Sequence, residues 1–366
     1  MMHVTIVGCG QLARMLALAG WQMNIRFSFI AEPGESVRGV TGLGKVVVRR
    51  DNETAVELYH RLGRPDVITV EREHVDIPLL RQLQVLCPVY PDPATIAVTG
   101  DRLQEKRALQ KHGLPHAAFV ACEQPAQLPE AAATLGLPLF VKSCRDGYDG
   151  KNQWRISDPQ QLQQLASQLP AQSLVAEAAV PFVAEASLLG VRSASGETAF
   201  YPLAENQHRN GILVSSSVPS SLSPLWQQQA RDWLGQLLQQ WQYVGVLAME
   251  LFVTEQGLLV NELAPRVHNS GHWTHKGAAT CQFENHLRAI LGLPLGDTSL
   301  HRPCAIINLL GRPVKARQLV QKNSWLADYN KSVRKGRKLG HVTLLADRPE
   351  QLAGQRDAVL GACHPE

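Results

Sequence analysis

A chain of 366 residues is longer than one ordinary small domain, so two or three compact units are expected. Apolar residues make up 45% and charged residues 19%, a globular composition that excludes a disordered chain. A net charge of +4 is too small to mark a nucleic-acid partner, and the seven cysteines form no CxxC pair, which argues against a disulfide framework or a structural zinc.

The N-terminus has no basic region followed by an uninterrupted apolar one, and nowhere do 18 apolar residues follow one another. No signal peptide, no membrane span and a cytoplasmic, reducing location are therefore expected. The first element is a strand, His3 to Val7, followed by a glycine turn, Gly8-Cys9-Gly10, and a helix from Gln11 to Ala19. A second strand, Arg26 to Ile30, ends in a turn cluster at 31–34, and two short apolar runs follow, Lys45–Val48 and Asp66–Val70. Strands alternating with helical stretches predict a parallel, Rossmann-like α/β unit ending near residue 100. A charged helix runs from Asp101 to His112 and is stopped by Gly113-Leu114-Pro115. Strand-like pieces follow at Leu139–Lys142, Ser173–Glu177, Ala186–Val191 and Thr198–Pro202, with a polar, glycine-bearing loop from Ser143 to Asn152 after the first. Between Pro224 and Trp241 the residues Leu225, Trp226, Ala230, Trp233, Leu234, Leu237, Leu238 and Trp241 recur at helical spacing and mark a core face. Two strands, Val246–Val253 and Gly257–Leu263, are joined by a short polar turn and lead into a polar loop, Ala264 to Lys276. From about residue 300, short apolar runs surround a basic segment, Arg334 to Lys338, and no internal repeat is visible.

Two constellations carry chemistry. The turn after the first strand fits G-x-G-x-x-G/A, with Ala13 in the third position, a geometry that brings backbone amides to a phosphate at a helix N-terminus. With Glu32 as a ribose-binding acid it would suit a nicotinamide oxidoreductase, an alternative that gives the rest of the chain no purpose. Glu250 and Glu262 lie in apolar runs on adjacent candidate strands, where an unpaired charge is costly. A hairpin would set them side by side, and two carboxylates with Asn261 are hard oxygen ligands suited to Mg2+ carrying phosphates.

The run MELFVTEQGLLVNELAPRVHNSGHWT resembles the metal-binding hairpin and loop of the ATP-grasp superfamily. GCGQLARM, DRLQEK, VKSCRDGYDGKNQ and VRKGRKLGH, in that order, resemble more narrowly the 5-(carboxyamino)imidazole ribonucleotide synthase family. The resemblance implies an α/β and α+β chain: a Rossmann-like parallel-sheet domain at 1–100, an ATP-grasp domain at 101–297 and a small β-rich C-terminal domain at 298–366. It implies ATP and Mg2+ as cofactors, bicarbonate and aminoimidazole ribonucleotide as substrates, and a homodimer. Arg102, Lys106 and Lys142 would meet the nucleotide phosphates. Gly147, Tyr148, Asp149, Gly150, Lys151, Asn152 and Gln153 would form the loop that closes over them. Glu177, Ala178, Ala179 and Val180 would read adenine and Glu185 would bind the ribose. His208, Asn261 and Glu262 would also touch ATP, and Glu250 and Glu262 would hold the metal.

For the acceptor, Tyr148, Asp149, Arg266, His268 and Lys338 match catalytic positions around the amine and the carboxyl group. Gly8, Gly10, Gln11, Glu73, Asn269, Arg337 and Lys338 would line its site, the turn amides with Arg337 and Lys338 holding its phosphate. Whether Glu71 or Glu73 faces inward is open in the sequence. Two departures stand out, Ala13 and Asn152 where glycine is usual, and asparagine tolerates the left-handed backbone better than most residues. The implied reaction makes carboxyphosphate from ATP and bicarbonate, then transfers the carboxyl group to the amine, with Asp149 or His268 taking the proton. The GRKLGH tail and the APRVHNSGHWT loop favour this family over sibling ligases such as the formate-dependent glycinamide ribonucleotide transformylase or a biotin carboxylase.

Overall fold

The computed structural model describes residues 1–145, 152–311, 319–320 and 322–363. Strands β1 (His3–Val7), β2 (Arg26–Ala31), β3 (Lys45–Val48) and β4 (Val67–Val70) pair in parallel in the order β3-β2-β1-β4. β1 and β4 are buried along their whole length, as parallel strands are when helices cover both faces. One flanking helix, α1 (Gln11–Trp21), was legible in the sequence, whereas α2 (Ala55–Leu62) and α3 (Ile77–Gln84) were not. Yet α2 opens on a capping box, Thr54 with Glu57, a local signal that reading for apolar period alone passes over.

After α4 (Pro93–Thr99) and α5 (Arg102–Lys111), a second, antiparallel sheet forms from β5 (Phe119–Cys122), β6 (Leu139–Ser143), β7 (Gln153–Ile156) and β8 (Leu174–Ala178), in the order β5-β8-β6-β7. The helices α6 (Leu128–Leu135) and α7 (Pro159–Gln168) cover it, and Leu128, Ala131, Leu162 and Leu165 fill the space between.

The largest sheet has nine strands among the described residues. Its central part comprises β9 (Ala184–Arg192), β10 (Thr198–Phe200), β11 (Ala204–Arg209), β12 (Ile212–Val218), β13 (Gly245–Thr254) and β14 (Gly257–Ala264). The C-terminal strands β15 (Cys304–Leu310), β16 (Ser324–Asp328) and β17 (Lys338–Leu345) extend it, giving the order β14-β13-β9-β11-β12-β15-β17-β16, with β10 paired to β9. The small C-terminal unit therefore has no separate sheet: β15 pairs with β12, which would otherwise present an open edge. The last helix, α11 (Pro349–Cys363), packs on β15 and β17.

Helix α8 (Pro224–Gln240) buries Ala230, Leu234, Leu237 and Leu238 as the spacing predicts. Leu225 departs from that expectation and is 81% exposed, because it sits on the first turn, off the stripe that meets the sheet. The N-terminal unit docks through α1 against α10 (Gln282–Ile290), which follows the short α9 (Thr274–Gly277), and through a buried bond between Thr69 Oγ1 and His286 Nε2 at 2.8 Å. Nδ1 of His286 accepts from the Val246 amide at 3.1 Å, so the proton lies on Nε2, and burial pushes the ring down to about 4. Among the described residues no helix is long and apolar enough to cross a membrane.

Candidate active site

The three sheets face one cleft of about 1070 Å³. One cluster of its charges comes from α5, β6 and β8. Glu177 on β8 lies between two ammonium groups, Lys142 Nζ at 3.0 Å and Lys106 Nζ at 3.3 Å. Burial alone would raise its carboxyl, but the two lysines override that and hold it down to about 2. Lys142 lines the cleft. Lys106, expected to touch phosphate directly, is only 2% exposed, and its Nζ also donates to the Asn261 carbonyl at 2.9 Å, so it stands behind the wall. Arg102 lines the cleft and donates to the Ser143 carbonyl at 2.9 Å, tying α5 to the strand that carries Lys142.

Beside these charges the wall turns apolar, with Phe140, Ala178, Val180, Phe182, Phe252 and Leu263. Phe182 and Phe252 stack with ring centroids 4.8 Å apart. None of these aromatic rings was singled out in the sequence, where an isolated phenylalanine in a strand reads as core. The amides of Ala178 and Ala179 are bonded to the Ala118 and Pro138 carbonyls, at 2.9 and 3.3 Å, which narrows the donor edge of this pocket to Val180.

The expected hairpin sets Glu250 of β13 opposite Glu262 of β14. A bulge at Asn261 follows directly, since the next pair is Leu251 with Val260. Burial, then the neighbouring charge of Glu262, pushes the Glu250 carboxyl up to about 8. Two converging carboxylates that repel each other suit a divalent cation. Among the described residues no group of three or more His, Cys, Asp or Glu side chains is poised to hold a metal, so most ligands would have to come from a bound nucleotide and water. Close by, His208 Nδ1 meets Glu185 Oε2 at 2.8 Å. Burial opposes the charge on His208, but Glu185, Glu250 and Glu262 raise its pKa overall.

Towards the acceptor side, Arg266 Nη2 pairs with Glu73 Oε1 at 2.6 Å. His268 Nε2 lies 3.6 Å from Glu250 Oε1, and its Nδ1 meets Ser270 Oγ at 2.9 Å. Burial, then Arg266 and Lys338, depress His268 well below the ordinary imidazole value, so its ring is neutral at pH 7. Asn269 differs from expectation: its amide is committed to Asn308 in a reciprocal pair at 3.1 and 2.6 Å, which makes it a strut of the cleft wall.

The glycine turn also differs. The amides of Gly8, Cys9 and Gly10 already have protein acceptors: the Ile30 carbonyl, Glu35 Oε1 and Glu71 Oε1. Glu71 also accepts from the Ala13 amide at 2.9 Å. A carboxylate thus occupies the helix N-terminus where a phosphate was expected, and Gly8 does not line the cleft. Both acids reach the cleft wall, but to different partners: Glu71 caps α1, and Glu73 pairs with Arg266. Glu32, the acid that a dinucleotide site would use, is paired with Arg49 at 3.1 Å and does not line the cleft.

Gln11, Arg337 and Lys338 do line the cleft. The Gln11 side chain accepts from Lys331 Nζ, and Arg337 Nη1 donates to Ser332 Oγ at 2.7 Å. Lys331 escaped notice because it lies outside the GRKLGH run, although a lysine so close to that run was a signal. Asn152, which tolerates a left-handed backbone, has φ +51°. Gly147, Tyr148, Asp149, Gly150 and Lys151 lie outside the described residues.

Fold and cleft define the chain as an ATP-grasp ligase: residues 107–283 match the ATP-grasp domain, residues 1–100 the ribonucleotide synthetase preATP-grasp domain, and residues 304–355 the phosphoribosylaminoimidazole carboxylase C-terminal domain. The N5-carboxyaminoimidazole ribonucleotide synthase of Vibrio cholerae serotype O1 is 42% identical over 359 residues, covering 96% of this chain and 93% of that protein. The Escherichia coli protein of the same name is 37% identical over 369 residues, covering 100% and 96%. The crystal structure of the Thermus thermophilus synthetase superposes with a TM-score of 0.90 at 38% identity over 99% of each chain. The Aspergillus clavatus synthase in complex with ADP and 5-aminoimidazole ribonucleotide gives 0.89 at 26% identity over 99% and 98%. The chain belongs to the N5-carboxyaminoimidazole ribonucleotide synthase family and is an ATP-dependent carboxylating ligase.

Proposed function

We propose that this chain carboxylates 5-aminoimidazole ribonucleotide in purine biosynthesis, using ATP and bicarbonate and releasing ADP and phosphate. The observation that carries the reading is a single cleft holding Lys142 with Glu177, the Glu250–Glu262 pair, and Arg266 with His268.

Bicarbonate is a poor electrophile because its carbon is shielded by negative charge delocalised over the oxygens around it. Its oxygen would attack the γ-phosphorus of ATP, the bond to the bridging oxygen would break, and ADP would leave, giving carboxyphosphate. Positioning and charge neutralisation are what such a transfer needs from a protein. Arg102 and Lys142 would contact the phosphates, while Lys106 acts from behind by fixing Glu177 and the Asn261 carbonyl. Adenine would lie between Phe140, Val180 and Leu263, and the ribose beside Glu185 and His208. Mg2+, held by Glu250 and Glu262, would supply positive charge against the transferring phosphoryl group. The raised carboxyl of Glu250 supports that assignment, since a cation there offsets both the burial and the neighbouring Glu262 charge that raise it.

The acceptor would lie between the N- and C-terminal walls, with Gln11, Arg337 and Lys338 at its phosphate and Glu73, Arg266 and His268 at its amine. As the amine nitrogen bonds the carboxyl carbon, phosphate leaves and the neutral His268 or Asp149 takes the proton. Tyr148 would complete this end, and the 147–153 segment would exclude water from carboxyphosphate. ADP release measured with ATP, Mg2+ and bicarbonate should rise strongly on adding aminoimidazole ribonucleotide. Binding of ATP without that stimulation would move the assignment to glycinamide ribonucleotide or another acceptor of a sibling ligase.

The family resemblance also supports a homodimer, and seven unpaired cysteines suit a cytoplasmic enzyme. Sedimentation equilibrium should give twice the 40.2 kDa chain mass, and a single-chain mass would refute the dimer. The units are taken as 1–100, 101–297 and 298–366, the third tied to the second by the pairing of β12 with β15.

A further inference from the structure

β14 is the edge strand of the nine-stranded sheet, and its outer edge runs past α5. An edge leaves backbone amides and carbonyls without ladder partners. Here three groups close it. The Pro115 carbonyl accepts from the Val260 amide at 2.7 Å, Lys106 Nζ donates to the Asn261 carbonyl at 2.9 Å, and Glu105 Oε2 accepts from the Leu263 amide at 3.0 Å. Glu105 and Lys106 are consecutive residues of one helix, and their contacts bracket Glu262.

That bracket coincides with a choice of register. Below the bulge the pairs are Thr254 with Gly257 through Leu251 with Val260; above it they are Glu250 with Glu262 through Ala248 with Ala264. Were the lower register to continue without a bulge, Asn261 would lie opposite Glu250 and Glu262 would turn to the other face of the sheet. Something must therefore favour the bulged register, in which the extra residue costs one regular pairing. Lys106 is already engaged by Glu177. Glu105, 3% exposed, has no part in the chemistry described above.

We infer that Glu105 is a positioning residue: by holding the Leu263 amide it keeps β14 in the bulged register that sets Glu262 opposite Glu250. The inference rests on Glu262 as a magnesium ligand and extends that reading to the residue that places it. A carboxyl group suits the task because its carbonyl-type oxygen accepts from the Leu263 amide in a buried place where a strand neighbour would otherwise sit, even though burial, and then the charge of Glu262, push the group up to about 8.

The test is ATP binding by calorimetry, with Mg2+ and again in EDTA, in the full-length enzyme. Glu105→Ala should lower ATP affinity about tenfold or more in Mg2+, the usual scale for losing a group that orients a metal ligand, and less than about twofold in EDTA. Glu105→Gln keeps an acceptor oxygen and should retain the gain that Mg2+ confers. Thermal melting shows whether the variants fold; should Glu105→Ala fail, Glu105→Asp, one methylene shorter, carries the same test. A Mg2+ gain unchanged in Glu105→Ala, an equal loss in EDTA, or no rescue by Glu105→Gln overturns the inference. Glu262→Gln is measured alongside. If it keeps the Mg2+ gain, the metal reading falls and this inference with it; if it loses the gain while Glu105→Ala keeps it, only the inference falls.

Discussion

Replacing Glu262 with alanine is expected to abolish ATP turnover while leaving the fold intact. The side chain is exposed to the cleft, so its removal opens no cavity in the core. It also relieves a repulsion, because the charge of Glu262 helps to hold the Glu250 carboxyl near 8. Thermal stability should therefore stay level or rise slightly, with Glu250 titrating closer to the ordinary carboxylate range. Catalysis should move the other way. Loss of one group that stabilises developing charge usually costs about 10²–10³ in kcat, and losing half of the carboxylate pair should reach at least that. ADP release and a melting curve on the same preparation check both halves. Turnover within a few-fold of the unsubstituted enzyme would overturn the metal assignment.

Glu177→Gln should have the largest effect on stability. The glutamate is buried between Lys106 and Lys142, and a neutral amide leaves two buried ammonium groups without their counter-ion. Breaking a buried ion pair by removing one partner costs about 3–5 kcal/mol, more than the pair itself contributes. Chemical denaturation at pH 7 should show a drop of that order. The acid limb supplies a second reading. The folded carboxyl titrates near 2, whereas an unfolded glutamate titrates at about 4.3. A depressed carboxyl stabilises the fold above the unfolded value and loses that contribution as pH falls towards the folded one. The unsubstituted protein should lose stability between those values, and Glu177→Gln should lose less there. Equal slopes in the two proteins would show that Glu177 is not the group responsible.

Several elements whose partners lie nearby in the chain were legible in the sequence, although α2 and α3 were not. β1 and β3 coincide with the residues read as a strand and as a short apolar run, and α8 follows its apolar spacing. The opposition of Glu250 and Glu262 was legible for the same reason, since a hairpin with a short turn leaves little choice of partner. The order of charged motifs along the chain was enough to place it in its superfamily. What stayed hidden were contacts between residues far apart. Glu71 fills the glycine turn from 61 positions away, and Lys331 reaches Gln11 from 320. Asn269 and Asn308 satisfy one another across 39.

The sequence by itself determined which groups are present, their local secondary structure and the hairpin that pairs two carboxylates, because each depends on side-chain period and short-range sterics. Only the tertiary structure decided which of those groups face the cleft. It set Lys106 behind the wall and Lys142 in it, gave the amides of the glycine turn to Glu35 and Glu71, and joined β15 to the open edge of β12. The physical reason is common to all three. A buried charge, amide or strand edge must find a partner, and which partner is within reach is settled by the packing of distant elements.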